Sequence, residues 1–187
     1  MLITKSKYYI YIENISLLKL DLIKKRNKFA IIYRNSIKTA KVGELRKFAL
    51  KCKNKGIALY IANDLKLMKK CQATGLYLSS YNKRNYKVKN IKLLGSAHNF
   101  KEIVEKKKQG CTEIIFSRLF KTDYSTKIGF TGLIRFNLIS RYFNFFLIPL
   151  GGIRLHNLNK IKLLNTDGFA VMSVVKKKPA EFINRLF

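Results

Sequence analysis

The residues of this chain best suited to chemistry stand directly after short apolar runs. Arg34, Asn35 and Ser36 follow the run 29–33, and Asn63-Asp64 follows 57–61. Ser79, Ser80 and Asn82 come after 75–78, and Ser96, Ala97 and His98 after 91–94. The run 113–117 leads into Arg118, Thr122, Asp123, Ser125 and Lys127. Phe145-Phe-Leu-Ile-Pro-Leu ends in Gly151-Gly152, and Ser173 ends the run 168–172. Cationic side chains hold phosphate, a carboxylate can hold a divalent cation, and hydroxyls orient what the charges bind. The set is therefore one for handling anions. A glycine pair at a strand end lets the backbone approach a ligand closely, and the N–H groups of the turn and of a following helix can hold an anion. Taken singly, these residues are also ordinary caps and turn formers: Asn63-Asp64 can start a helix, and Ser96 can be an N-cap. Only their convergence on one face makes them a site.

Convergence depends on the elements that carry them. Apolar runs at 8–12, 29–33, 57–61, 75–78, 91–94, 113–117, 145–153 and 168–172 read as strands. Between them come polar residues and then apolar residues at helical spacing. Val42, Leu45, Phe48, Ala49 and Cys52 make one such face, and Phe100, Ile103, Val104 and Lys107 a second. Leu155, Leu158, Ile161 and Leu164 make a third, and Phe182, Ile183 and Leu186 close the chain. Strands alternating with helices predict right-handed βαβ units and a parallel sheet. Eight units are the count of a closed (β/α)8 TIM barrel, whose ligand face lies at the C-terminal ends of the strands. A doubly wound open sheet has the same periodicity. At 187 residues the chain falls just below the usual lower limit of about 200 for the barrel, so its loops must be short. The elements at 17–25 and around 82–89 are expected to be stunted. A single domain over 1–187 follows, with no linker and no internal repeat. No segment is long and apolar enough to span a bilayer, and the N-terminus lacks a signal-peptide pattern.

Charge is lopsided: 39 Lys and Arg face 10 Asp and Glu, a net +29. Such a balance suggests a nucleic-acid partner. The lysines, however, are spread over every predicted helix, and the densest clusters (24–26, 106–108 and 176–178) are only triplets. Zinc-finger spacing, basic heptads and aromatic RNA-binding signatures are all missing. Abundant Lys, Asn, Ile, Tyr and Phe, with no Trp and two Pro, read as a compositional bias that places Lys on solvated faces. Nucleic acid is then expected to bind only non-specifically, and phosphorylated small ligands to be favoured. Cys52, Cys71 and Cys111 form no Cys-x-x-Cys pair. They read as small buried residues, which fits a reducing, cytoplasmic location.

The order of motifs resembles the thiamine phosphate synthase superfamily, which includes the similar thiazole tautomerase of the TenI type. The resemblance rests on Ile61-Ala-Asn-Asp64, Gly75-Leu-Tyr-Leu78, Ser96-Ala-His98, the loop Leu119-Phe-Lys-Thr-Asp123 through Lys127, Pro149-Leu-Gly-Gly-Ile153 and Asp167-Gly-Phe-Ala-Val-Met-Ser173. It implies a transferase that joins hydroxymethylpyrimidine diphosphate to a thiazole phosphate and releases pyrophosphate. Phosphorylated pyrimidine and thiazole molecules are then the partners, and no membrane is involved. In that family Mg²⁺ and basic residues stabilise the departing pyrophosphate. The resemblance places Arg34 and Asn63 on the pyrophosphate side, Asp64 at a metal-ligand position and Ser96 beside the leaving group. It matches Lys127 to the pyrophosphate lysine of the sixth loop, and Gly151, Gly152 and Ser173 to the thiazole-phosphate cradle.

Departures from the pattern carry information too. Ile32 and Ser36 stand where the synthases place Gln and Lys beside the Arg, and Asn82 stands where a second metal carboxylate is expected. Losing a carboxylate and a cation weakens a diphosphate and Mg²⁺ site. His98 lies where the tautomerases carry a histidine suited to proton transfer near neutral pH, whereas His156 reads as a solvated residue near a helix start. Three readings follow: a synthase with an eroded diphosphate site, a TenI-type tautomerase, and a non-catalytic barrel that binds a phosphorylated ligand.

Overall fold

The computed structural model describes residues 5–23, 28–34, 41–86, 90–122 and 129–172. Its strands are β1 (Lys7–Ile12), β2 (Phe29–Tyr33), β3 (Ala58–Ala62), β4 (Gly75–Leu78), β5 (Lys92–Ala97), β6 (Glu113–Ser117), β7 (Leu147–Leu150) and β8 (Gly168–Val171). All neighbours pair in parallel, and β1 pairs with β8 from Lys7↔Gly168 to Ile10↔Val171. The sheet is therefore closed, β1 to β8 in chain order. Closure rules out the open doubly wound sheet.

Alternation along each strand divides the core in two. Tyr9, Tyr11, Ala30, Ile32, Tyr60, Tyr77, Leu94, Ile115, Ile148 and Ala170 fill the barrel. The intervening residues, such as Tyr8, Ile10, Phe29, Ile31, Leu59 and Ile61, face outward under the helices. Burial on both faces is why these strands read as continuous apolar runs and not as an alternating pattern. The interior tyrosines bring hydroxyls that need partners. Toward the N-terminal end, Tyr9 donates to Glu113 Oε2 at 2.6 Å, and Lys7 Nζ pairs with the same carboxylate at 3.0 Å. Nearer the C-terminal end, the Tyr11 hydroxyl donates to that of Tyr77 at 3.0 Å, the two rings meeting edge to face. Among the described residues no buried side-chain N or O atom lacks a partner.

The outer layer holds α1 (Val42–Asn54), α2 (Leu65–Cys71), α3 (Phe100–Lys108) and α4 (Gly132–Phe143). Two 3-10 turns, Ile15–Leu17 and Leu20–Leu22, replace a helix after β1, and residues 82–86 after β4 contain none. Both match the expected stunting. Other details differ from expectation. Strand β5 runs on to Ala97, so Ser96 and Ala97 lie inside the strand and not after it. The face at Leu155, Leu158, Ile161 and Leu164 belongs to a 3-10 segment, Leu155–Leu163, which still buries Leu158 and Ile161. On α3, Phe100 and Val104 are exposed, while Ile103 and Lys106 are buried. The reason lies beneath the helix: a Cβ on Gly95 would sit 3.0 Å from Lys106 Cβ, so the glycine makes room for the lysine stem. Phe100 instead contacts Tyr142 and Phe143 of α4. The predicted face at Phe182, Ile183 and Leu186 lies outside the described residues.

Lys106 stands in for the missing helix. Its Nζ donates to the Asn82 carbonyl at 2.7 Å and to Gln109 Oε1 at 2.9 Å. Gln109 Nε2 donates to the carbonyls of Asn82 and Arg84, both at 2.9 Å. Burial lowers the lysine pKa, a cost that the hydrogen bonds offset. The three cysteines are free and buried. Burial pushes the Cys52 thiol up to about 12 and that of Cys111 up to about 11, as suits small core residues without redox chemistry.

Replacing Lys106 tests this brace. Lys106→Ala should lower the unfolding free energy by about 2 kcal/mol or more, from the lost bonds and the cavity left behind. Lys106→Met, which keeps the stem, should recover part of that loss. Urea denaturation reads both, and an unchanged midpoint for the Ala variant would refute the brace.

Candidate active site

The polar residues singled out by sequence gather at the C-terminal ends of the strands. Arg34 continues the inward register of Ala30 and Ile32 and is half-buried at the mouth. Its backbone N–H donates to the Ile12 carbonyl at 2.9 Å, which extends the β1–β2 pairing past Tyr33. Its charge is felt by the phenols of Tyr11 and Tyr77, which burial pushes up and Arg34 partly lowers again. Ser96 is buried on β5, and its hydroxyl bonds to that of Tyr77. Tyr11, Tyr77 and Ser96 thus form a hydrogen-bonded floor under the mouth, with Arg34 beside it.

The β3 and β4 ends are bound to each other. Asn63 takes a left-handed conformation, φ 58°, which an Asn tolerates better than most residues. Its Nδ2 donates to Ser79 Oγ at 2.6 Å and to Tyr81 OH at 3.0 Å. Its Oδ1 accepts from the Ser79 N–H and from Asn82 Nδ2. Asn82 also donates to Tyr86 OH and accepts from the Arg84 N–H. Both amides are engaged in holding the loop. Asp64 is exposed and caps α2, accepting from the Leu67 N–H at 2.8 Å.

The described residues do not make a cage for a resident Mg²⁺. Among the described residues no three His, Cys, Asp or Glu side chains come together. Asp64 is the carboxylate beyond β3, and one of its oxygens is occupied as a cap.

His98 sits beyond β5, largely exposed, and its Nδ1 lies 3.1 Å from Glu102 Oε2. The same carboxylate accepts from the His98 backbone N–H at 2.7 Å. The ring is therefore held at the start of α3, outside the floor formed by the tyrosines.

Gly151 and Gly152 follow β7 with φ of 101° and 67°, both in the region that favours glycine. A Cβ on Gly152 would lie 2.5 Å from the Lys121 carbonyl, and one on Gly151 would lie 3.1 Å from Arg118 Cγ. The β6 loop thus crosses directly over the glycines, tied by Leu119 N–H to Leu150 O and Phe120 N–H to Gly151 O. Asn157, buried in the 3-10 segment, donates to the Gly152 carbonyl and accepts from the Arg154 N–H, both at 2.8 Å. Arg118 lies over the turn, with Nη1 3.2 Å from Thr122 Oγ1. The Arg118 stem thus packs on the turn while its guanidinium reaches Thr122.

The structure therefore joins Arg34 to Ser96 through Tyr77, sets Asn63 beside Asp64, and places Arg118 on Gly151-Gly152. His98 stands apart, just before α3, and Asn35, Ser36, Asp123, Ser125, Lys127 and Ser173 lie outside the described residues. Sequence reasoning passed over Tyr11 and Tyr77, whose apolar runs disguise their hydroxyls, and Asn157, which has no signal beyond falling three residues after Arg154. Arg118 was visible as a cation at a strand end, but nothing in the sequence placed it on the turn.

Known proteins show the same shape. The family model described as thiamine monophosphate synthase matches residues 2–175. A thiamine phosphate pyrophosphorylase from Pyrococcus furiosus superposes with a TM-score of 0.72 at 18% identity, covering 97% of this chain and 95% of that one. Another, from Bacteroides thetaiotaomicron, gives 0.64 at 14% identity, with 97% and 93% covered. A 2-keto-3-deoxy-6-phospho-gluconate aldolase from Zymomonas mobilis also reaches 0.64, at 13% identity over 97% and 92% of the two chains. At such identities these likenesses speak to the fold. No curated protein matches the chain.

The glycine turn can be tested by stability. Gly152→Ala should destabilise by about 2 kcal/mol or more, since the methyl group meets backbone and the φ is strained. Gly43→Ala, where a Cβ meets nothing within 4 Å, should be neutral or stabilising by up to about 1 kcal/mol. Thermal melts of the two variants supply the comparison, and equal melting temperatures would refute it.

Proposed function

The chain belongs to the thiamine monophosphate synthase family, and from that premise we propose that it is a transferase of this type. It would join hydroxymethylpyrimidine diphosphate to thiazole phosphate and release pyrophosphate. The observation that carries the reading is the Arg118 stem packed on the left-handed Gly151-Gly152 turn, which sets a cation beside the strand end where the resemblance places the acceptor's phosphate. Arg34, across the Tyr11–Tyr77–Ser96 floor, is the cation available to the diphosphate. Charge grows on the departing pyrophosphate in the transition state, so a fixed guanidinium there lowers the barrier without reorganising. The Ser96 hydroxyl, held by Tyr77, is placed to hydrogen-bond a leaving oxygen. Asn63 serves by fixing the β3–β4 loop, because its amide is already fully engaged. Lys127 and Ser173 keep the roles that the family resemblance assigns, and His98 is left as a rim residue. A Mg²⁺ ion enters this reading only as the counter-ion that a diphosphate brings with it, Asp64 being the carboxylate left at that rim.

A second reading has its own support. Asn82, at the place of a second metal carboxylate, is buried and spends its side chain on Asn63, Tyr86 and the Arg84 N–H. That favours a barrel which binds the thiazole phosphate without turning over.

Supplying both phosphorylated precursors with Mg²⁺ and measuring thiamine phosphate decides between the two. Product supports the transferase; tight binding of thiazole phosphate with no product supports the binding barrel. Arg118→Met should weaken thiazole phosphate binding about tenfold or more, the loss of a charged hydrogen bond. Undiminished affinity would remove Arg118 from the site. Asp64→Asn should leave the melting temperature nearly unchanged, since Asn caps helices about as well as Asp, while transfer at limiting Mg²⁺ falls. Full transfer by this variant would leave Asp64 only its capping role.

A further inference from the structure

We propose that the outward face of α3 and α4 rests on an anionic lipid surface and attaches the protein there peripherally. No helix among the described residues is long and apolar enough to cross a membrane, so the contact is one of lying along the surface. The proposal stands apart from the transfer reaction.

Helix α4 has two apolar faces. Phe136 and Ile139 turn inward and are buried. Ile134, Leu138 and Tyr142 recur at every fourth residue on the outside, and they are 80%, 60% and 78% exposed. A helix at the surface of a domain turns polar residues to water, and one that is apolar all round is normally covered. The stripe continues onto α3. There Phe100 and Val104, one turn apart, are exposed as well, and the Phe100 ring stacks on that of Tyr142 with centroids 6.2 Å apart. Single exposed apolar residues are ordinary, whereas a joined patch rimmed by charge marks a contact surface.

The rim identifies the partner. At about 3.6 residues per turn, Arg135 and Arg141 fall on opposite edges of the α4 stripe, and Lys101 and Lys107 on opposite edges of the α3 pair. All four are exposed. Helix α4 contains no Asp or Glu. The two acids of α3 are engaged off the stripe, Glu102 with His98 and Asn99, and Glu105 with Lys83. An apolar stripe between rows of Arg and Lys is the pattern of a helix lying in a membrane interface. Its apolar groups enter the acyl boundary while its cations stay among the headgroup phosphates. A second copy of the chain fits worse, because a two-fold contact would press these cations against themselves. A nucleic-acid strand fits worse too. Bases stack on open aromatic faces, but Phe100 and Tyr142 cover one another and the rest of the stripe is aliphatic. Helices of this barrel run beside the strands, so a membrane along α3 and α4 leaves the strand ends open to small ligands.

Flotation of the full chain with vesicles of equal parts phosphatidylglycerol and phosphatidylcholine tests this. Binding is expected, and vesicles of phosphatidylcholine alone should carry about a tenth as much protein or less. The double variant Ile134→Gln, Leu138→Gln changes exposed side chains only and should melt as the parent does. It should lower partitioning about tenfold or more, two apolar anchors being lost. Arg135→Gln, Arg141→Gln should lower it by a similar factor, about tenfold, through the headgroup contacts. The control pair Lys47→Gln, Lys51→Gln on α1 should change it less than about twofold, since distant charges are screened. No binding to the anionic vesicles would overturn the proposal. So would an Ile134, Leu138 variant that partitions like the parent, or a control pair that loses as much as the arginine pair. Either would leave only the diffuse attraction of a highly charged chain. A dimer or an oligouridylate complex abolished by the Ile134, Leu138 variant would give the face to that partner and overturn the lipid assignment. Thiamine phosphate formation should be the same in these variants, and its absence in the parent would count only against the transfer reading.

Discussion

Filling the barrel with tyrosines is the constraint on which the rest of this structure depends. Tyr9, Tyr11, Tyr60 and Tyr77 bring bulk to the interior, where Ala30, Ala58, Ala62 and Ala170 bring little. A hydroxyl buried without a partner costs a few kcal/mol, so each ring dictates polar company. Tyr9 requires Glu113, which in turn requires Lys7, and this closes the N-terminal end with a hydrogen-bonded pair of charges. Tyr11 requires Tyr77, whose hydroxyl also meets Ser96. The floor of the candidate site is thus the upper surface of the core. Chemistry at the mouth cannot be altered without touching the packing below it.

Short length imposes the second set of demands. With no helix in the described residues 79–86 after β4, that segment must still satisfy its backbone groups and cover the barrel. Lys106, Gln109, Asn63, Asn82 and Ser79 do that work through a connected network. The same residues occupy the side of the mouth where a diphosphate and its cation would be held. Polar groups spent on holding a loop are not available to a ligand. Loss of the second carboxylate and use of Asn82 as a brace are therefore two views of one change. On the opposite side, the glycine turn is held by a buried Asn157 and by the β6 loop, without drawing on the charge of Arg118.

Much of the fold was legible because burial on both faces leaves a plain mark. Runs such as 29–33 and 113–117 coincide with β2 and β6, and the stunted elements after β1 and β4 follow from arithmetic on chain length. Closure was legible only through the count of eight units, since β1 meets β8 across the whole sequence and periodicity is blind to pairing at that distance. The α3 face was misjudged for a related reason. Lys106 is buried because Gly95 on another element leaves room for it, while Phe100 finds its partners on α4. At the candidate site, Arg34, Asp64 and the glycines were readable as residues directly beyond a strand, whereas Ser96 lies within β5. Tyr77 and Asn157 were not, because their roles come from partners distant in sequence or from a loop conformation. For His98 the place in the chain, beyond β5, was legible, but its partner Glu102 on the rim was not.

The high charge is better understood from where the acids lie than from where the lysines do. With 39 cations and 10 anions, most lysines must face water, and their distribution alone says little about partners. The carboxylates with cationic partners among the described residues serve identifiable tasks: Glu113 closes the barrel base, Asp21 ties the 3-10 turn after β1 to the end of α1, and Glu105 meets Lys83 beside the β4 loop. Each secures a place where the short chain has little other structure. These acids act as structural counter-charges, and their small number is what leaves most lysines to water.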